Sequence, residues 1–471
     1  MNKPTAQQLS ALRAELDGVH IIDDESQVTR LSRDFSWFSP VLTPQLEPYR
    51  ADIVVRPKTE DEIVRTVAAC AKHGVPITPR GAGSGNYGQC TPLFGGVIID
   101  LSQYNQLVWQ KGDVARVQAG MRLLDIDKAT QPTGWELRCV PSTFRIATIG
   151  GLYGGGFGGI GSINYGPLAS TGNVLGVKAI TVEPEPKLIE LRAPEALLLH
   201  HVYGTSGIVL EMEIALAPAH AWRECVIVGD GIENMLRMGD EIANSPGITK
   251  KSVTFFENEV QPYLPTLHSY WATGKNALFV VCTSNAIDAL LEMGKRYGAV
   301  LSYNELHNEQ VRKGKTILEY TWNHTTLHAL KIDKTLTYIQ SGFPAGQHIE
   351  HALKMKQLLG DECLLHLEFI RLKEGQMTFS GLQLIRYTNA ARLDEIMQLH
   401  RDNGVYIANP HVYHVEDGKQ GQINPDIVMT KMRLDPQGLV NPGKLRGWDV
   451  RDQIAADVKA GKVNVSTLPS F

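Results

Sequence analysis

The stretch between Asp52 and Ser102 constrains the fold most, because the order of its elements can be read directly. "DIVVRP" is a short β-branched run ended by a proline, which predicts a strand. "TEDEIVRTVAACAKHG" predicts a helix, because Thr59 and Glu62 have the spacing of a capping box and Gly74 supplies a stop signal. "VPIT" and "GGVIIDLS" predict two further strands, with a glycine-rich loop between them.

That loop, "RGAGSGNYG", has the composition of an anion-binding turn. Glycine permits positive φ and close backbone approach, so successive N–H groups can face one phosphate. A dinucleotide-binding Rossmann fingerprint needs the helix after its glycines, where the helix N-terminus meets the pyrophosphate. Here the helix comes first and the spacing is GxGxG. A nicotinamide-dependent dehydrogenase is therefore the weaker alternative.

A second and denser glycine cluster runs from Pro141 to Gly166, "PSTFRIATIGGLYGGGFGGIGSINYG". So many glycines would weaken a helix interior. We interpret the cluster instead as backbone that lies close to a large flat ligand. Downstream, "NVLGVKAITVE" and "GIVLEMEIALAP" predict two more strands.

Composition bounds the class of protein and its partners. A chain of 471 residues exceeds one ordinary core, so two domains are expected. The net charge of −4 and the lack of a basic run argue against nucleic acid as a partner. Six scattered cysteines without a CxxC pair make a disulfide framework or zinc site unexpected. No signal peptide or transmembrane segment is predicted, and the cytoplasm is the expected compartment.

The character of the chain changes after His220, where glycine becomes rarer. "NALFVVCT" followed by "AIDALLEMGKRYG" predicts a strand and then a helix. We predict three parts: an N-terminal domain over residues 1–220 with its core at about 46–220, a second α+β domain over 221–416, and a C-terminal segment over 417–471.

Four blocks, in order, carry a resemblance to a known family: "VVRPKTEDEIVRTVAACAKHGVPITPRGAGSGNYG", "PSTFRIATIGG", "YGTSGIVLEMEIALAP" and "LVNPGKL". Together they resemble the FAD-linked oxidase superfamily, which includes vanillyl-alcohol oxidase, p-cresol methylhydroxylase, bacterial glycolate oxidase and D-lactate dehydrogenases. The last two are the nearest in character. The resemblance implies an α+β fold: a two-subdomain FAD-binding domain interrupted by an α+β cap over the flavin, with a C-terminal return.

The resemblance also implies which residues bind FAD. The first loop would hold the pyrophosphate, the second cluster would line the flavin, and the segments near 207 and 441 would complete the site. These residues are Arg80, Gly81, Ala82, Gly83, Ser84, Gly85, Pro141, Ser142, Thr148, Ile149, Gly151, Gly207, Ile208, Val209, Asn441 and Lys444.

Attachment of the flavin follows from one position. Many relatives have a histidine in the first loop that bonds covalently to the flavin, and Ser84 stands there in this chain. "IATIGG" also lacks the cysteine of doubly linked relatives. Non-covalent FAD is therefore predicted, and a link from a cap histidine or tyrosine stays open.

Oxidation of an alcohol by a flavin needs a base for the hydroxyl proton. "YTWNHTTLHALKID" places His324 and His328 four residues apart, and "ANPHVYHVEDG" carries His411 and Tyr413. These four are the candidate catalytic residues. Ordinary partly buried histidines that are satisfied by hydrogen bonds are the alternative interpretation.

No metal site is predicted. The HxGDGNxH motif of the hydroxy-acid branch is absent, and its nearest remnant is "LLHLEF", with His366 and Glu368 expected on opposite faces of a strand. Arg371 and Arg386 are candidates to clamp a substrate carboxylate, although single arginines near strands are more often surface residues.

The function predicted from the sequence is an FAD-dependent oxidoreductase that oxidises a small alcohol or 2-hydroxy acid by hydride transfer to flavin N5. Its electron acceptor would be oxygen, a quinone or a cytochrome. The alternative is a non-catalytic flavin-binding subunit of a larger oxidoreductase complex. A homodimer is compatible with the sequence.

Overall fold

The computed structural model describes residues 1–466, and its N-terminal part contains a four-stranded sheet. The strands follow the order β1-β2-β4-β3, with β2 and β3 parallel to the central β4 and β1 antiparallel at the edge. The elements are α1 (Ala6–Glu15), β1 (Ile21–Ile22), α2 (Glu25–Leu31), α3 (Leu42–Leu46), β2 (Ile53–Val55), α4 (Glu60–His73), β3 (Ile77–Arg80) and β4 (Val97–Asp100).

Helix α4 and its neighbouring strands confirm the prediction for residues 52–102. The Thr59 hydroxyl accepts a hydrogen bond from the Glu62 N–H at 3.2 Å, which caps the helix start. The helix ends at Gly74, whose φ of 64° is the left-handed conformation that glycine adopts without strain. The glycine loop therefore leaves the C-terminal end of β3, the edge at which parallel sheets bind ligands.

A second sheet follows, in the order β5-β6-β10-β8-β9, with β7 paired to the end of β10. Both strands predicted downstream of the second glycine cluster are present, as β8 and β10. The elements are β5 (Leu107–Lys111), β6 (Val114–Gln118), α5 (Leu123–Thr130), β7 (Trp135–Leu137), α6 (Ile149–Gly155), α7 (Ser162–Tyr165), β8 (Val174–Ile180), β9 (Leu188–Arg192) and β10 (Ile208–Pro218).

Helix α6 corrects the interpretation of the second glycine cluster, because part of the cluster is helical. The helix is short, it is capped by the Thr148 hydroxyl, and Leu152 and Tyr153 anchor it in the core. A Cβ atom on Gly150 would lie only 2.8 Å from the Cβ of Ala119. The glycine therefore lets the helix approach the backbone beside β6, which offsets its low helix propensity.

The third sheet has eight strands in the order β14-β11-β13-β12-β18-β19-β16-β21, and a small sheet beside it has the order β15-β20-β17. The predicted strand "NALFVVCT" is β13 and the predicted helix after it is α9. The elements are β11 (Trp222–Gly229), α8 (Ile232–Asn244), β12 (Lys250–Phe256), β13 (Asn276–Thr283), α9 (Ile287–Tyr297), β14 (Val300–Leu306), α10 (His307–Lys313), α11 (Asn323–Ile332), β15 (Leu336–Tyr338), β16 (Gln340–Gly342), α12 (His348–Leu359), β17 (Cys363–Leu364), β18 (His366–Arg371), β19 (Met377–Gly381), β20 (Leu384–Arg386), α13 (Ala390–Asp402) and β21 (Tyr406–Ala408).

The C-terminal segment returns to the first sheet after α14 (Pro425–Leu434) and before α15 (Arg451–Lys459). The Ile77 N–H donates to the Leu439 carbonyl at 2.8 Å, and the Asn441 N–H donates to the Ile77 carbonyl at 2.7 Å. The segment thereby extends β3 by one parallel bridge. The domain limits at 220 and 416 stay predictions. Within residues 1–466, no helix has the length and apolarity that crossing a membrane requires.

A buried ion pair anchors this return. Lys431 and Asp435 are 2% and 0% exposed, and Lys431 Nζ lies 2.7 Å from Asp435 Oδ2. Lys431 also donates to the Thr205 carbonyl at 2.6 Å. Asp435 accepts from the Leu439 and Val440 N–H groups at 2.9 Å each. Since both charges are compensated, the pair holds the C-terminal segment against the loop before β10.

Replacing Asp435 by alanine removes the carboxylate and leaves the Lys431 ammonium buried without a counter-charge. We expect the apparent free energy of unfolding, measured by denaturant titration with saturating FAD, to fall by about 3–5 kcal/mol. Asp452→Ala is the matched control, because this carboxylate is 87% exposed, and we expect a change of less than about 0.5 kcal/mol. Equal effects of the two substitutions would contradict the anchoring role of Asp435.

Candidate functional site

A cavity of about 240 Å³ lies where the two glycine-rich regions, the loop before β10 and the cap meet. All but three of the cofactor residues predicted from the sequence line it. Those that do are Arg80, Gly81, Ala82, Gly83, Ser84, Gly85, Pro141, Ser142, Thr148, Gly151, Gly207, Ile208 and Val209. Ile149 is buried beside it, and its neighbour Gly150 lines the wall in its place.

The first glycine loop offers backbone donors to an anion. In the described part of the chain, the N–H groups of Ala82, Gly83, Ser84 and Gly85 donate to no other protein group. Arg80 lies beneath them, donating to the Ala82 carbonyl at 3.2 Å. No aspartate or glutamate is among the described residues that line the cavity. Free N–H groups above a cation form a suitable site for a pyrophosphate.

Small residues shape the opposite wall. A Cβ atom on Gly154 would meet only the Gly204 nitrogen, at 3.8 Å, so this face of α6 is open toward the cavity. Gly204 and Gly207 have φ values of 60° and 69°, a conformation that disfavours side chains. The hydroxyl of Ser206 is buried and has no partner within residues 1–466. A wall with little side-chain bulk and one unpaired hydroxyl fits a broad flat ligand with polar edges.

Asn441 and Lys444 lie behind the wall rather than in it. Asn441 Nδ2 donates to the Gln89 carbonyl at 2.9 Å and to the Tyr203 carbonyl at 2.7 Å. Lys444 Nζ donates to the Gly88 carbonyl. Burial lowers the pKa of Lys444 to about 8, while Asp34 favours the charged form. Both side chains thus hold the backbone of the lining loops in position.

The cap closes the cavity with Trp322, Asn323 and His324 at the start of α11. Trp322 has φ 51°, a strained value for a bulky residue. In the described part of the chain, three buried atoms here lack a hydrogen-bond partner: Trp322 Nε1, Asn323 Oδ1 and His324 Nδ1. Strain and unpaired polar atoms together mark a place built to meet a ligand.

Glu368 fixes the strained tryptophan. Its Oε1 accepts the Trp322 N–H at 2.7 Å and lies 2.8 Å from His366 Nε2, while Oε2 accepts the Thr254 hydroxyl at 2.6 Å. The prediction that His366 and Glu368 lie on opposite faces was wrong, because residues two apart on a strand share a face. His366 is fully buried and stacks on Phe256 at 4.6 Å, which is a structural role.

His324 is the only one of the four predicted catalytic residues among the cavity-lining residues that the structure describes. Its Nδ1 lies 3.3 Å from Glu319 Oε2, within ion-pair distance but outside hydrogen-bond geometry. Arg145 Nε lies 2.5 Å from Glu319 Oε1. Burial works against ionisation of Glu319, yet its contact with His324 and the nearby positive charges keep its pKa below the usual range.

The other three candidates lie outside the cavity. His328 packs on Tyr320 at 4.5 Å between ring centroids, and burial lowers its pKa to about 4. His411 accepts the Ser39 hydroxyl at Nδ1 and donates from Nε2 to the Tyr338 carbonyl, both at 2.8 Å. Tyr413 packs against the apolar side chains of α3. With both ring nitrogens satisfied, His411 is placed as a structural residue.

Several residues of the site gave no usable sequence signal. Phe35 and Phe38, from a short aromatic run, line the cavity, as do Tyr87 and the cap residue Gln340. The Tyr87 hydroxyl donates to Gln340 Oε1 at 2.5 Å, so a cofactor loop and the cap are joined directly. Neither predicted clamp arginine lines the cavity. Arg371 lines a different one, and Arg386 donates to the Asp361 carbonyl.

Comparison with known proteins identifies the N-terminal region. Residues 51–191 match a family model described as an FAD binding domain. The match agrees with the resemblance of the chain to the FAD-linked oxidase superfamily. Its FAD-binding region is therefore the one that contains the two glycine clusters, and FAD is the cofactor implied by the match.

Two curated relatives are similar over part of their length. An uncharacterised FAD-linked oxidoreductase of Mycobacterium tuberculosis is 33% identical over 135 residues, which cover 28% of this chain and 29% of the relative. The glycolate oxidase subunit GlcD of Bacillus subtilis is 31% identical over 204 residues, which cover 41% and 42%. The matches therefore span less than half of these relatives.

Two solved structures are similar over nearly the whole chain. An alkyldihydroxyacetonephosphate synthase superposes with a TM-score of 0.71 at 16% identity, covering 94% of this chain and 86% of the other. The 4-ethylphenol oxidase of Gulosibacter chungangensis gives 0.64 at 15% identity, covering 94% and 97%. The α+β fold with an FAD-binding domain of the vanillyl-alcohol oxidase type is thus confirmed.

Replacing Gly154 by a residue with a larger side chain tests the position of the cofactor. Gly154→Leu places a side chain in the open space beside α6, so we expect FAD affinity to fall at least about tenfold, as overpacking would require. The apoprotein should keep its thermal midpoint, since leucine is the better helix former. Flavin fluorescence titration measures the affinity. Gly154→Ala should have a smaller effect, and Ala390→Leu, on an exposed surface, should have none.

His411 predicts a pH dependence of stability. Its folded pKa of about 4 lies below the unfolded value of 6.5, mainly through burial. Its stabilising contribution is therefore present above pH 6.5 and is lost as the pH falls toward 4. When the pH is lowered from 7 to 4.5, the free energy of unfolding should fall by about 2 to 3 kcal/mol more in the wild type than in His411→Gln. Parallel pH curves from denaturant titrations would refute this assignment.

Proposed function

We propose that the protein is an FAD-dependent oxidoreductase that oxidises a small alcohol or 2-hydroxy acid. One observation carries the proposal: the glycine walls of the FAD-binding domain and the cap residues Trp322, Asn323 and His324 line the same cavity. A substrate bound against the cap would therefore lie next to the cofactor, which is the arrangement that hydride transfer needs.

When bound, FAD supplies the hydride acceptor at flavin N5. The free N–H groups of residues 82–85 would hold its pyrophosphate. Ser84 stands where many relatives have the covalently linked histidine, so FAD would be bound non-covalently. His324 accepts the proton of the substrate hydroxyl. Glu319 keeps the charged imidazole stable, because its carboxylate lies 3.3 Å from Nδ1. Asn323 and the Trp322 indole supply unpaired polar atoms that orient the substrate.

The name of the Bacillus subtilis relative, a glycolate oxidase subunit, favours a 2-hydroxy acid as substrate. The chemistry of the cavity is compatible with an acidic substrate, since its described lining includes Arg80 and His324 and no carboxylate. The electron acceptor would be oxygen, a quinone or a cytochrome, and a homodimer remains part of the proposal.

A non-catalytic flavin-binding subunit is the second candidate, favoured by the word "subunit" in the name of that relative. The cap argues against it. The strained Trp322 and the unpaired Trp322 Nε1 and Asn323 Oδ1 atoms are costly features, and a chain that binds flavin without turning over substrate has no use for them.

Substitution of the two α11 histidines separates catalysis from structure. With purified protein under anaerobic conditions, we expect a panel of alcohols and 2-hydroxy acids to bleach the flavin. His324→Gln should slow this reduction by about 10²–10⁴-fold, the usual loss when a general base is removed, and should leave FAD affinity unchanged. His328→Gln should slow it far less, because His328 lies outside the cavity.

Stopped-flow absorbance at the flavin band gives both rates. If no member of the panel bleaches the wild-type flavin, the non-catalytic candidate is favoured. If His324→Gln and His328→Gln reduce at the same rate as the wild type, the protein is an oxidoreductase with a different base.

A further inference from the structure

A second cavity, of about 360 Å³, shares no lining residue with the first. It lies between the end of β7 and the helix α7 on one side and the start of β12 and the end of β18 on the other. The proposed oxidation does not use it.

Positive side chains dominate its wall. Arg138, Lys250, Lys251 and Arg371 line it, against one carboxylate, Glu136. Glu136 is already neutralised: Lys251 Nζ lies 3.0 Å from its Oε1, and the Trp222 indole N–H is 3.0 Å from both oxygens. Three cations therefore remain, and none of them has a carboxylate partner within residues 1–466.

These three cations are held in place by backbone carbonyls. Lys250 Nζ donates to the Ser245 and Ile248 carbonyls at 2.6 and 3.3 Å. Arg138 uses Nε and Nη1 on the Leu216 and Gly172 carbonyls, both at 3.0 Å. Carbonyls fix the side chains without cancelling their charge, so the positive charges stay uncompensated.

Donors remain free on each of them. Arg371 Nε and Nη1 donate hydrogen bonds to the Ile163 and Gly375 carbonyls. In the described chain, the Nη2 groups of Arg371 and Arg138 donate to no protein acceptor. An ammonium has three donors and a guanidinium five. Lys250 is only 5% exposed, and burial together with the charge of Arg371 lowers its pKa to about 8. Positive charges that lie close together in a half-buried cavity repel one another, and a bound anion would offset this repulsion.

We propose that this second cavity binds a small multivalent oxyanion, a phosphate ester or a polycarboxylate, through Arg138, Lys250 and Arg371. The ligand would bridge β7 and α7 to strands β12 and β18, so binding would stabilise the contact between the FAD-binding region and the eight-stranded sheet. The proposal does not depend on the substrate or the redox activity.

Isothermal titration calorimetry of FAD-saturated protein tests it, with inorganic pyrophosphate and citrate as separate probes at constant ionic strength. We expect saturable binding at one site per chain and a rise in thermal midpoint. Lys250→Met, which keeps the apolar stem, should weaken binding at least about tenfold, as loss of a charge-assisted hydrogen bond implies. Lys334→Met is the matched control on an exposed lysine and should bind as the wild type does.

Arg371→Gln serves as a second variant if Lys250→Met does not retain bound flavin. Binding of pyrophosphate alone identifies a phosphate ester, and binding of citrate alone identifies a polycarboxylate. The proposal is overturned if neither anion gives saturable heat, or if the cavity variants bind as tightly as Lys334→Met. It is also overturned if flavin is released as the anion binds, because the anion then occupies the cofactor cavity.

Discussion

Buried polar side chains of the C-terminal segment hold the cofactor cavity together. Lys431, Asn441 and Lys444 donate to backbone carbonyls of the loops before β4 and β10. Loops lined by glycine have few side chains with which to anchor one another, so an outside segment must fix them. A buried lysine does this only when its charge is compensated or its donors are used. The NPGKL segment is therefore needed to build a cavity that it does not line.

The cap depends on a similar buried group. Glu368 lies under the start of α11 and accepts the Trp322 N–H, which holds this residue in a strained conformation beside the cavity. The same carboxylate contacts His366 and Thr254. Strain of this kind persists where the surrounding structure compensates it. The segment "LLHLEF", the nearest remnant of a metal motif that the sequence lacks, thus supports the proposed substrate wall.

Local patterns predicted much of the fold, and most of the predicted cofactor residues line the first cavity. The threonine N-cap and the glycine stop of α4 act over a few residues, as do the β-branched runs of β2 and β13 and the glycines of the first loop. Such patterns can be recognised without tertiary contacts. Helix α6 was missed because packing against Ala119 overrides the low propensity of glycine. The aromatic side chains Phe35 and Phe38 were missed because nothing local connects them to a site.

The sequence by itself determined that the first loop has anion-binding character, since such backbone needs glycines at short spacing, and four ordered blocks carried the resemblance that implies FAD. Only the tertiary structure decided which histidine meets the cavity. The sequence does not distinguish the three histidines. In the structure His324 lines the cavity, His328 packs on Tyr320, and His411 is hydrogen-bonded to Ser39. The contact between His411 and Ser39 joins residues 372 positions apart, and the cavity walls opposite His324 come from residues 35–209, so no local pattern encodes either environment.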